Sequence, residues 1–146
     1  MVIRFLLILI LVLNSLSCSK KNNKIYVPTE KSNPYDLYEQ GLKAFEKNDF
    51  FFASEKFSEA ELNFEKPELA AKSSIMSSFS LYGINFYRDA VDNLERYLKA
   101  YPADKHVMYA HYLMAIIYFE QIVDETKDLK PLIKANEKID FFLKEF

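Results

Sequence analysis

The chain has 146 residues, a formal charge of −2 from 19 basic and 21 acidic residues, and one cysteine. A weakly acidic chain without blocks of Lys and Arg gives no electrostatic case for nucleic acid, and a lone cysteine excludes an internal disulfide. Two glycines set against 13 Phe and 10 Tyr, with few β-branched runs, favour helices over a turn-rich β architecture.

Residues 5–13 read Phe-Leu-Leu-Ile-Leu-Ile-Leu-Val-Leu, preceded by Arg4 and followed by small and polar residues. A stable membrane-spanning helix needs about 20 apolar residues, so this run is too short to be one. Its order is that of a signal peptide, and residues 1–17 are set aside from the fold. Loss of Arg4 takes the formal charge from −2 to −3. The segment Leu13-Asn14-Ser15-Leu16-Ser17-Cys18-Ser19 resembles a bacterial lipobox, in which the cysteine becomes the first mature residue and carries the lipid. One departure is the leucine: Leu16 touches Ser17, while Ser15 holds the usual leucine place. An only cysteine directly behind an export signal is best explained by acylation, so Cys18 is assigned as the lipidation site. Several acyl chains make a stable anchor where one binds only marginally. In lipoproteins of this kind an Asp after the cysteine retains the protein at the inner membrane. Ser19 stands there instead, which implies the periplasmic face of the outer membrane. Residues 18–33 are polar and lack helical periodicity, as a flexible tether would.

Helical signals begin at Asn33-Pro34, an N-cap followed by proline at the first helical position, with Asp36 in the first turn. That helix is predicted to run to about Lys47, with Asn48-Asp49 breaking it. A second helix covers about 50–64. Pro67 opens a third, to about Tyr82, and Gly83-Ile84-Asn85 makes a turn. A fourth spans about 87–100 and ends at Tyr101-Pro102. Asp104 is placed to cap a fifth, reaching about Ile122. After a charged loop over 123–130, Pro131 sits near the start of a sixth.

These helices form an internal repeat. Ala53, Ala90 and Ala135 align; four residues later stand Phe57, Leu94 and Ile139, and three beyond those Ala60, Tyr97 and Phe142. Pro102 closes the second unit. The pattern resembles the tetratricopeptide repeat, with a small residue that lets the second helix of a pair approach the first and a large apolar residue filling the contact. One pair cannot bury its apolar face alone, so pairs stack. The expected fold is all-α, a solenoid of about three helix pairs over 34–66, 67–102 and 103–146. No further helix with a polar outer face follows the third pair, and the expectation is of a chain that continues beyond Phe146 in the intact protein.

In a solenoid of this kind the first helices of the pairs line a concave groove. The register puts Tyr35, Tyr38, Leu42 and Phe45 there from the first pair, then Lys72, Ile75, Phe79 and Tyr82, then Tyr109, Tyr112, Ile116 and Phe119. Small residues (Gly41, Ala44, Ser74, Ser77, Ser78, Ala115) fall at packing positions. Aromatic groove positions suit an extended peptide rich in apolar side chains; an aromatic stripe at helical spacing also serves as core. Tyr38, Phe45, Phe79, Tyr82 and Tyr112 are the candidate peptide-binding residues. Phe50, Phe51 and Phe52 cannot all face inward from one helix. Catalytic patterns are missing. His106 and His111 are not at metal-ligand spacing, there is no Gly-rich phosphate loop, and the carboxylates read as solvated helix faces, such as Glu39 beside Lys43. The chain is read as a non-enzyme with no metal and no cofactor apart from the lipid on Cys18.

The lipobox, the short tether and repeats opening on Tyr35-Asp36-Leu37-Tyr38-Glu39-Gln40-Gly41 together resemble the BamD family, lipoproteins of the outer-membrane β-barrel assembly (BAM) machinery. Val107-Met108-Tyr109 with Tyr112-Leu113-Met114-Ala115, and the charged insertion Asp124-Glu125-Thr126-Lys127-Asp128, resemble that family's third repeat. The resemblance implies a scaffold that docks on BamA and the smaller BAM lipoproteins and binds unfolded outer-membrane proteins for insertion. The family carries about five repeats, of which this sequence has three. Two other readings remain at this level: a repeat lipoprotein of another envelope machine, for pilus assembly or cell-division coordination, and the N-terminal part of a periplasmic enzyme.

Overall fold

The computed structural model describes residues 32–122 and 128–145; the signal segment, Cys18 and the tether as far as residue 31 lie outside them. Six helices follow in the expected order: α1 Pro34–Glu46, α2 Phe50–Asn63, α3 Pro67–Gly83, α4 Tyr87–Ala100, α5 Val107–Glu120 and α6 Lys130–Glu145. No strand is present among the described residues. Each helix packs on the next in sequence, as a helical-hairpin solenoid requires.

The helix starts follow the sequence. Asn33 Oδ1 accepts the Tyr35 N–H at 3.0 Å, with Pro34 behind it as first helical residue. Asp49 Oδ1 caps α2 by accepting from Phe52 N at 3.3 Å. Asp104, however, does not cap α5. Its Oδ1 accepts from Tyr97 Oη (2.7 Å) and His106 N (2.9 Å) and pairs with His106 Nδ1 (2.8 Å), so it stays locked in the preceding turn. The helix then starts at Val107. Gly83 is the last residue of α3 rather than part of the turn. The turns after α1 and α3 are copies of each other. Asn48 (φ 60°) and Asn85 (φ 61°) both adopt the left-handed conformation, which asparagine tolerates better than most residues. In each, the next amide returns to the helix: Asp49 N to Ala44 O at 2.9 Å and Phe86 N to Leu81 O at 3.0 Å.

Packing follows the repeat register. Ala53, Ala90 and Ala135 are all buried, and Phe57, Leu94 and Tyr97 are fully enclosed. Gly41 lies so close to Phe57 that a Cβ there would stand 2.7 Å from Cε1 of the ring. The third pair departs from the pattern: Ile139, the counterpart of Phe57 and Leu94, is 43% exposed. The reason is geometric. The helices α2 and α4 are each held between two neighbours, whereas α6 packs on α5.

Between α2, α3 and α4 the core is polar and satisfied. Ser73, Ser74, Ser77, Ser78 and Ser80 are buried on α3. Ser73, Ser78 and Ser80 each return their hydroxyl to the carbonyl four residues back, and Ser77 Oγ donates to Ser54 O at 3.1 Å. Small side chains bring α3 close to α2 without leaving unpaired groups. Glu61 is buried beside them. Arg96 Nη1 and Nη2 reach its two oxygens at 2.6 Å each, Tyr101 Oη donates to it at 3.1 Å, and Arg96 also bonds Ser74 and Asn93. This bidentate pair joins the first repeat to the second.

Candidate functional site

The first helices of the three pairs, α1, α3 and α5, share one face, and aromatic rings run along it. Phe45 meets Phe79 with ring centroids 5.7 Å apart; Phe79 meets Tyr82 at 5.9 Å; Tyr82 meets Tyr87, at the start of α4, at 6.1 Å. All four rings are half-buried. Each packs against the fold and keeps part of its surface exposed. A depression of about 380 Å³ opens here, lined by Phe45, Lys72, Ile75, Met76, Phe79, His106 and Tyr109. Its floor is the buried Ile75.

The remaining candidates lie around this ladder. The half-buried Tyr38 packs on Phe57 at 5.2 Å, with Lys72 Nζ 5.2 Å from its ring centroid. Tyr112 is 50% exposed and belongs to a second cluster, 6.4 Å from Tyr109 and 6.3 Å from Phe142. The five predicted residues therefore share the α1–α3–α5 face but not one pocket: Phe45, Phe79 and Tyr82 are contiguous, and Tyr38 and Tyr112 flank them. Of the three neighbouring phenylalanines, Phe50 turns inward against Phe45 and Gly83, while Phe51 and Phe52 are exposed.

Sequence reasoning missed a polar clasp at the end of the ladder. Tyr82 Oη donates to Glu120 Oε1 at 2.6 Å, and Tyr87 Oη lies 2.9 Å from both Glu120 Oε2 and Asn85 Oδ1, two acceptors for its one proton. The bond to Glu120, aided by partial burial, pushes the Tyr82 phenol up to about 12, and the same bond raises Tyr87. Both phenols thus stay protonated donors at neutral pH. No local pattern flags this, because the partners come from three different helices. His106 lines the depression with its ring paired to Asp104. His111 stacks on Phe141 at 4.4 Å, with Nδ1 buried and without a hydrogen-bond partner. The two histidines serve different surroundings. The face presents aromatic surface, one lysine and one tyrosine-held carboxylate.

A family model described as an outer membrane lipoprotein, YfiO, matches residues 30–146. The chain belongs to the YfiO outer membrane lipoprotein family. Two relatives carry the name outer membrane protein assembly factor BamD. That of Caulobacter vibrioides is 32% identical over 111 residues, covering 76% of this chain and 36% of the relative. That of Rickettsia prowazekii is 26% identical over 141 residues, covering 97% of this chain and 54% of the relative. The chain thus spans between about a third and a half of the length of the curated relatives it matches. The BamD resemblance read from lipobox, tether and repeat order is borne out, and family membership places the chain among outer membrane lipoproteins. Both relatives are named as assembly factors, not as enzymes.

Proposed function

We propose that this chain is a non-enzymatic lipoprotein component of the outer-membrane protein assembly (BAM) complex, tethered through acylated Cys18 and binding unfolded outer-membrane protein segments along its groove. The observation that carries the reading is the half-buried ring ladder Phe45–Phe79–Tyr82 on the shared face of α1, α3 and α5, in a chain whose relatives are named for outer-membrane protein assembly. Rings already fixed by packing on one side give contact area at low entropic cost on the other. An extended segment with apolar side chains would lie along them. BamA and the other BAM lipoproteins are the partners this reading assigns. The lipid on Cys18 would hold the groove at the periplasmic face of the outer membrane, which makes the cysteine an address and leaves binding to the solenoid.

The test is site-specific photo-crosslinking in cells. A crosslinker at Tyr38, Phe79 or Tyr112 is expected to capture nascent outer-membrane barrel proteins, while one at the exposed Arg88 or Lys99 of α4 is not. Capture from α4 alone would overturn the groove assignment. For the anchor, metabolic palmitate labelling should vanish in Cys18→Ala; labelling that persists would remove Cys18 from the account.

A further inference from the structure

The clasp at Glu120 leaves acceptor capacity on its carboxylate open. Its two oxygens face the hydroxyls of Tyr82 and Tyr87, which links the ends of α3 and α5 to the start of α4. The ionised acceptor strengthens the tie, the 2.6 Å contact to Tyr82 being of charge-assisted length, but neither tyrosine neutralises the charge. That charge also sits badly within its own helix. Glu120 is the last residue of α5, where the helix macrodipole is negative and a cation is the favoured neighbour. The nearby cap is neutral, Gln121 Nε2 donating to Ile117 O at 3.0 Å. Among the described residues every ion pair involves some other carboxylate. Glu120 is exposed, and a carboxylate accepts about four hydrogen bonds, so outward acceptor sites remain beside the two tyrosine donors.

Its position gives this charge a use. Tyr82 stands at the end of the ladder away from Lys72. Both are on α3, separated by about 15 Å at a rise of about 1.5 Å per residue. The surface therefore presents an ammonium at one end, rings in the middle and a carboxylate at the other end. An extended chain advances about 3.3 Å per residue, so four or five residues span it.

We infer that Glu120 is a recognition point for a cationic group, a guanidinium or an ammonium, at one end of an extended apolar segment lying on the ring ladder. The inference rests on the peptide-binding reading above. Tyr82 and Tyr87 are positioning residues that hold the carboxylate toward the groove, and Lys72 faces the opposite end of the segment, where an acidic group is complementary. The groove thereby gives a bound segment a direction, which aromatic contacts alone do not.

The experiment measures binding of dye-labelled synthetic peptides to the purified full chain by fluorescence anisotropy. The peptides share one apolar, aromatic-rich core and carry Arg, its neutral isostere citrulline, or Glu at either end. The wild type is expected to bind the better-placed Arg peptide about three- to five-fold more tightly than its citrulline counterpart at low salt, with the advantage shrinking as salt is added. Glu120→Gln, checked for an unchanged fold by circular dichroism, should bind both with the citrulline affinity. Glu120→Lys gives a second, independent variant, in which preference passes to the Glu peptide. Equal affinity for Arg and citrulline in the wild type overturns the inference while leaving the groove reading intact; so does an Arg preference that survives both substitutions. Absence of binding by any peptide overturns the groove reading itself, and this inference with it.

Discussion

Replacing Gly41 with alanine sets two effects against each other, and the structure decides between them. By intrinsic propensity the change should stabilise α1, since glycine in a helix interior costs about 1 kcal/mol relative to alanine. The added methyl, however, would sit 2.7 Å from Phe57 Cε1 and 2.8 Å from Cδ1. Contacts that short force a neighbour to move, and the neighbour is a rigid ring with no exposed surface, enclosed between two helices. Overpacking a closed core costs typically 1–3 kcal/mol, and a clash with a ring rather than a flexible end belongs at the upper part of that range. After the propensity gain, the net expectation is a loss of about 1–2 kcal/mol. For a domain of this size that lowers the melting temperature by about 4–8 °C. The assay is urea denaturation followed by circular dichroism, on Gly41→Ala, Phe57→Leu and the double variant. Phe57→Leu alone is destabilising through lost volume, but it makes room for the methyl, so the pair should cost less than the sum of the singles. A Gly41→Ala protein more stable than the parent, or strictly additive substitutions, would refute the close approach of α1 to α2.

Two further perturbations probe the polar interior. Arg96→Ala strands the Glu61 carboxylate, whose side chain is 3% exposed, whereas Glu61→Gln leaves an arginine that is 49% exposed and can reach water; the first should cost about 2–3 kcal/mol and the second about 1 kcal/mol, and equal losses in denaturation would contradict the burial asymmetry. Burial, helped by the charge of Lys138, holds the His111 pKa below its ordinary value of 6.5. The unfolded chain then takes up the proton first, so stability is full above about pH 6.5 and falls as the pH drops toward the folded-state value. His111→Phe should flatten the stability profile between pH 7 and 5; an unchanged slope would mean that other groups set it. The Asp104 carboxyl contributes lower on the scale. Burial works to raise its pKa, but hydrogen bonds from Tyr97 and His106 outweigh that and hold it below 3.8, so its stabilisation is present above that pH and lost under further acidification.

Sequence by itself determined the helices, their pairing and the family. The helix starts are legible because caps and prolines act locally: Asn33-Pro34 and Pro67 need only their own next few residues. The repeat is legible because the close approach of helix B to helix A demands a small residue at one fixed place, hence Ala53, Ala90 and Ala135. Asp104 was misread as a cap because its deciding partner, the Tyr97 hydroxyl, lies in the preceding helix. Ile139 shows a related limit: its register predicts burial, but burial depends on whether a helix lies beyond α6. The candidate site divides in the same way. Spacing of aromatics put Tyr38, Phe45, Phe79, Tyr82 and Tyr112 on one face, since a helical period is visible in one dimension. Which rings touch, and that Glu120 is held between Tyr82 and Tyr87, required the third dimension, because those contacts arise only where the ends of α3 and α5 and the start of α4 converge.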